Sequence, residues 1–132
     1  MTEDFLARCR AISGASRVLT GAPDMAPFLT DWRGRFTGRA RAVLLPGSRD
    51  EVAQLVRACA EYRVPIVPQG GRTGLVLGSV PDASGDAIVL SLRRLNRIRA
   101  IKPGPRVAVV EAGVVLATLH DAAESHLSLI HI

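Results

Sequence analysis

The sequence predicts an α+β fold in which a strand–helix–strand unit is followed by further strands and a closing helix. Three observations carry this. A helix with a clear start signal lies between two short apolar stretches, Ala42 to Leu45 and Val64 to Pro68. A glycine-rich run follows the second stretch directly. Three more short β-type segments and one amphipathic segment complete the chain.

Phe5, Leu6, Cys9 and Ile12 share one helical face and predict a first helix over 3–13. Residues 14–40 are rich in Gly, Pro, Thr and Arg and read as connecting structure. Ala42 to Leu45 is a short strand that stops at Pro46-Gly47. Ser48 followed by Glu51 is a capping box, in which the Ser48 hydroxyl accepts from the Glu51 amide and the Glu51 carboxylate reaches back to the Ser48 amide. Val52, Leu55, Val56 and Cys59 then repeat at helical spacing through Ala60. With Val64 to Pro68 as a strand, this predicts a βαβ unit with parallel pairing. Residues 81–86 are turn chemistry, 87–90 a strand, 92–96 a turn, 97–101 and 107–110 strands around a tight turn at 102–105. Val115, Leu116, Leu119 and Ala123 place a helix over 114–124.

Composition sets limits on function. The chain has 132 residues, 48% apolar and 22% charged, which suits one globular domain. No apolar run is long enough to span a membrane, and the first ten residues lack an apolar signal core, so the expectation is a cytoplasmic protein without an integral membrane segment. The net charge is +5, with sixteen arginines and one lysine. These basic residues are scattered, apart from Arg33, Arg35, Arg39 and Arg41, and aromatics make up only 4%. No stacking platform is visible, so nucleic acid is not the expected partner. Cys9 and Cys59 lack CxxC or metal-ligand spacing and read as buried free thiols.

The run from Pro68 to Pro81 is the candidate site. Gly70, Gly71, Gly74 and Gly78 lie within nine residues, directly after a strand. Glycine tolerates positive φ and admits a ligand close to the backbone. Successive amides in such a loop converge on an anion. A diphosphate suits that cradle, with Thr73 and Ser79 adding hydroxyls and Arg72 adding charge. A plain turn between strands has the same composition. No Gly-Lys-Ser/Thr follows, so the loop is not a P-loop. Leu75 to Val80 contains Gly78 and runs into Pro81, which is loop and not the helix of a dinucleotide fold. An anion here would be held by loop amides rather than by a helix dipole.

Four stretches occur in order: Pro46-x-Ser48-x-x-Glu51-Val52; Val64-Pro65-Ile66-Val67-Pro68-Gln69-Gly70-Gly71-x-Thr73-Gly74-Leu75; Ile88-Val89-Leu90-Ser91-Leu92-x-x-Leu95-Asn96; and Val110-Glu111-Ala112-Gly113-Val114. Together they resemble the vanillyl-alcohol-oxidase-type, or PCMH-type, FAD-binding domain of D-2-hydroxyglutarate, D-lactate and glycolate dehydrogenases. The likeness covers roughly residues 31–123 and implies the amino-terminal part of that domain, incomplete. It implies that Pro68, Gln69, Gly70, Gly71, Arg72, Thr73, Gly74, Leu75, Gly78 and Ser79 bind the cofactor, with 70–75, Gly78 and Ser79 around the diphosphate. It further implies an FAD-dependent oxidoreductase with a small hydroxy-acid substrate and an electron acceptor. A stand-alone FAD-binding subunit that joins a separate catalytic chain is the alternative. Arg72 stands where close relatives carry a small or amide residue, and Leu77 where they carry a second glycine; a leucine at positive φ would be strained. Relatives with covalent flavin use a histidine in this loop, so the expectation is non-covalent FAD.

The expected organisation is a helix and connecting segment over 1–40, a partial FAD-binding domain over 41–126, and a non-native tail over 127–132. That tail, Leu-Ser-Leu-Ile-His-Ile, equals one reading frame of the transposase end sequence used in preparing sequencing libraries. His120, His126 and His131 match no catalytic histidine of the family, and no catalytic or metal-binding residue is assigned.

Overall fold

The computed structural model describes residues 2–126, so the expected tail at 127–132 lies outside the described residues. The elements are α1 (Thr2–Ser13), β1 (Val18–Leu19), α2 (Ala22–Met25), β2 (Ala42–Leu44), α3 (Arg49–Tyr62), β3 (Ile66–Gln69), β4 (Ile88–Ser91), β5 (Ile98–Lys102), β6 (Val107–Val110) and α4 (Leu116–Ser125). Short 3-10 turns occupy Ala15–Arg17 and Ala26–Phe28.

The start of α3 follows from its capping residues. Ser48 is extended (φ −151°) and its Oγ accepts from the Glu51 amide at 3.1 Å. The Glu51 carboxylate accepts from the Gly47 amide at 3.3 Å, one residue before the expected Ser48 amide. The helix runs two residues past Ala60 and stops at Arg63, whose left-handed backbone (φ 55°) returns its amide to the Ala60 carbonyl.

The main sheet has the order β1-β2-β4-β3. β4 is parallel to both β2 and β3, so the expected βαβ unit is parallel but β2 and β3 are not neighbours. The reason lies in the strands themselves. Ile88, Val89, Leu90 and Ser91 are all buried, which suits a central strand covered on both faces. β3 carries Pro68, which has no amide to donate, and takes the edge. The connecting segment also holds β1, antiparallel to β2, which its two residues are too few to signal in the sequence.

Alternation along β2 and β4 divides the core into two layers. Ala42, Leu44, Ile88 and Leu90 meet Phe5, Leu6 and Cys9 of α1 and Leu55, Ala58 and Cys59 of α3. Val43, Leu45 and Val89 meet Met25 and Phe28 on the other face. Phe5 and Tyr62 pack with ring centroids 5.6 Å apart and planes tilted by 60°. Arg8 and Glu61 form an ion pair across the outer edge of the two helices. The antiparallel β5–β6 hairpin forms a separate sheet with a register shift between Ile98 and Ala100. Glu111 fastens it by accepting from the Arg97 amide and the Arg99 guanidinium, each at 2.9 Å. That pairing with Arg99, then the Arg97 amide, holds the Glu111 carboxyl below the usual range.

Candidate functional site

Because β3 and β4 are parallel neighbours, their carboxyl ends lie side by side, with Gln69 in register with Ser91. The glycine-rich run therefore leaves the sheet beside the turn that follows β4. The Leu92 amide donates to the Gln69 carbonyl at 2.9 Å and ties the two exits together. A third segment arrives at Gly113. Its amide donates to the Leu95 carbonyl at 2.8 Å, and a Cβ there would lie 1.9 Å from the Leu92 carbonyl oxygen, so only glycine allows this approach.

The three segments enclose a cavity of about 480 Å³. Gly70, Gly71, Thr73 and Arg93 line one side, and residues 112–117 line the other with an apolar wall. Ligands of open parallel sheets bind at such carboxyl ends.

The loop glycines do not serve the purpose of left-handed backbone. None of Gly70, Gly71, Gly74 and Gly78 is at positive φ, whereas Arg72 (59°) and Leu77 (68°) are. The glycines instead leave space. A Cβ at Gly70 or Gly78 would meet nothing within 4 Å, and one at Gly71 only the Thr73 methyl at 4.0 Å. Ser79 Oγ, 3.8 Å from the Cβ position of Gly74, is shielded from solvent and has no hydrogen-bond partner among the described residues. Open flanks and an orphaned hydroxyl fit a polar group received by this loop.

Several residues of the expected site hold the loop rather than face the cavity. Gln69 is buried, and its Nε2 donates to the Phe28 carbonyl at 2.9 Å and to the Ser79 carbonyl at 2.7 Å. Arg72, expected to supply charge to the ligand, donates to the Thr30 carbonyl. It sits outside the set lining the cavity because the left-handed turn at its own backbone sends it toward the 30–37 loop. That loop is organised by buried Asp31, which accepts from the amides of Phe36 (2.8 Å), Arg35 (2.7 Å) and Arg33 (3.3 Å). Those amides, Phe36 foremost, hold the Asp31 carboxyl below its ordinary pKa. Pro68 stands exposed on the edge strand, and Leu75 is half exposed at the loop tip. Arg93 and residues 112–117 are lining residues that were not among the expected site residues; an arginine in a turn carries no local signal, and the 112–117 segment reaches the cavity only through its long-range approach at Gly113.

This arrangement sets a glycine-rich loop beside a cavity at the carboxyl end of a parallel sheet. Residues 40–131 match the family described as FAD binding domain, and the chain belongs to that family. It is 37% identical over 128 residues to the D-2-hydroxyglutarate–pyruvate transhydrogenase of Saccharomyces cerevisiae, covering 96% of this chain and 25% of the relative. It is 37% identical over 123 residues to the D-2-hydroxyglutarate dehydrogenase of Xanthomonas citri pv. viticola, covering 93% of this chain and 26% of the relative. The crystal structure of p-cresol methylhydroxylase with substrate bound superposes with a TM-score of 0.80 at 22% identity, covering 95% of this chain and 25% of that one, and shows the fold. The chain thus spans about a quarter of the length of the relatives it matches. The fold is α+β and corresponds to the amino-terminal part of the PCMH-type FAD-binding domain. Among the described residues no helix is long and apolar enough to cross a membrane.

Proposed function

We propose that this chain is the FAD-binding part of a cytoplasmic flavin-dependent oxidoreductase that oxidises a 2-hydroxy acid of the D-2-hydroxyglutarate, D-lactate or glycolate type and passes the electrons to an acceptor. The observation that carries this reading is the Gly70–Thr73 loop, whose open glycine flanks line the cavity at the carboxyl ends of β3 and β4. Gly70, Gly71 and Thr73 line the cavity and offer backbone amides to the diphosphate. Val114, Val115 and Leu116 provide the apolar wall that excludes water from the bound cofactor. FAD, when bound, supplies the hydride acceptor for the substrate carbon. The cofactor is held without a covalent bond. Among the described residues no histidine, cysteine or tyrosine lines the cavity, and both cysteines are buried between the helices and the sheet. His120 and His126 stand exposed outside the cavity and take no role in proton transfer.

The test is Gly71→Val in the complete protein that carries this chain. Gly71 is not at positive φ and has free space at its Cβ position, so the variant keeps its fold and melting temperature. It closes the backbone approach, and the purified protein is expected to lose its flavin absorbance. Full flavin content in a folded Gly71→Val protein would count against the site.

A further inference from the structure

Among the described residues the cavity beside the glycine loop has one cationic side chain, and it is not Arg72. Arg72 is engaged by the Thr30 carbonyl and lies outside the lining set. Arg93 lines the cavity together with Gly70, Gly71 and Thr73. Its position follows from topology: it sits two residues beyond the carboxyl end of β4, and the glycine loop leaves the adjacent end of β3. The guanidinium lies 5.0 Å from the centroid of the Phe28 ring, which braces it. The Phe28 carbonyl is the group that Gln69 holds, so the same pin that orders the loop places the ring under Arg93. Among the described residues Arg93 forms no ion pair, and its donors are free for a ligand.

Resting on the FAD reading above, we propose that Arg93 is the cationic partner of the cofactor's diphosphate, completing with its charge the cradle that the Gly70, Gly71 and Thr73 amides begin. A diphosphate held by amides alone keeps its negative charge uncompensated in a partly enclosed cavity. A guanidinium is the donor best matched to phosphate oxygens, since it stays charged and presents a planar fork. The apolar wall at 112–117 cannot fill that need, and the acidic residues near the hairpin, such as Glu111, lie outside the lining set.

The test uses the complete protein stripped of flavin and titrated with FAD, with riboflavin as the ligand that lacks the diphosphate. Binding is followed by flavin fluorescence at several salt concentrations. Arg93→Gln retains a planar group over Phe28 and removes the charge. It is expected to weaken FAD about ten- to a hundredfold. It should also flatten the salt dependence of FAD binding and leave riboflavin affinity unchanged. Arg93→Lys should recover part of the loss, and Arg72→Gln should leave the salt dependence as it is. Unchanged FAD affinity and salt dependence in Arg93→Gln, alongside loss of FAD in Gly71→Val, would overturn the role of Arg93 and leave the FAD site standing. Retention of FAD by Gly71→Val would overturn the site itself. Equal losses of FAD and riboflavin, or a fall in melting temperature with the salt dependence intact, would make Arg93 a packing residue and overturn the proposal.

Discussion

Leu77 holds a left-handed backbone (φ 68°) at the tip of the glycine loop, where its side chain is 43% exposed and gains little from burial. Such a conformation costs a branched residue about 1–2 kcal/mol, and glycine removes that cost while adding chain entropy to the unfolded state. Leu77→Gly is therefore expected to stabilise the chain by up to about 1 kcal/mol, whereas Leu77→Ala keeps the strain and gains nothing. Urea midpoints of the two variants check this, and a glycine variant weaker than the alanine one would sink the idea. Three other single residues give pH-dependent signals. Burial pushes the Cys9 and Cys59 thiols up to about 11 and about 12. Both stay protonated at pH 8, so iodoacetamide should label neither thiol in the native chain and both in denaturant, read by mass. A raised thiol pKa favours the folded state below the unfolded value, so stability should decline as pH rises above about 8.5. Asp31 has the opposite sign. Its depressed carboxyl pKa contributes stability above the unfolded value of about 4, and that contribution is lost as pH falls through the folded pKa. Asp31→Asn should remove this part of the acid sensitivity, measured as melting temperature against pH.

At the scale of elements, the glycine loop depends on one buried side chain. Gln69 ties β3 to the turn at Ala26–Phe28 and to the far end of the loop at Ser79. Gln69→Leu would leave two carbonyls without their donor, at an expected cost of about 2–3 kcal/mol. The loop at 70–80 should then become the first site cut by limited proteolysis; an unchanged cleavage pattern would argue against the pin. How much could be read in advance varied with the range of the forces involved. The Ser48–Glu51 cap and the repeat at Val52, Leu55 and Cys59 are local, so α3 was legible. The glycine-rich run was legible as a loop leaving the end of a strand, because spacing and residue type are local too. The central place of β4 was not, since it depends on cover from α1 and α3 on one face and from Met25 and Phe28 on the other. The place of Arg93 in the cavity depends in turn on that strand order. Gln69 looked like a ligand because its sequence position sits in the motif; its inward rotamer is decided by carbonyls ten and forty-one residues away.

At the scale of the whole molecule, burial is uneven. The sheet β1-β2-β4-β3 is covered on both faces, while the later part of the chain is not. Every residue of β6 is exposed, including Val107, Val109 and Val110, and at the start of α4 Val115 and Leu116 are 65% and 63% exposed. Loop residues Leu75, Val76 and Leu77 add further apolar surface. Among the described residues β6 also pairs with β5 alone, which leaves the amides and carbonyls of its other edge without a neighbouring strand there. Exposed apolar strand edges of this kind favour association between chains. The expected result is that the 132-residue chain alone associates at micromolar concentration, seen as a rising sedimentation coefficient with loading. The double variant Val109→Lys with Leu116→Lys places charge on the strand and on the helix start while leaving the covered sheet untouched, and it should restore a single slow species. The far-ultraviolet circular dichroism of the two proteins should agree, because neither position belongs to the layered core. A chain that sediments as a monomer at all concentrations without these substitutions would show that the β5–β6 hairpin and α4 need no cover.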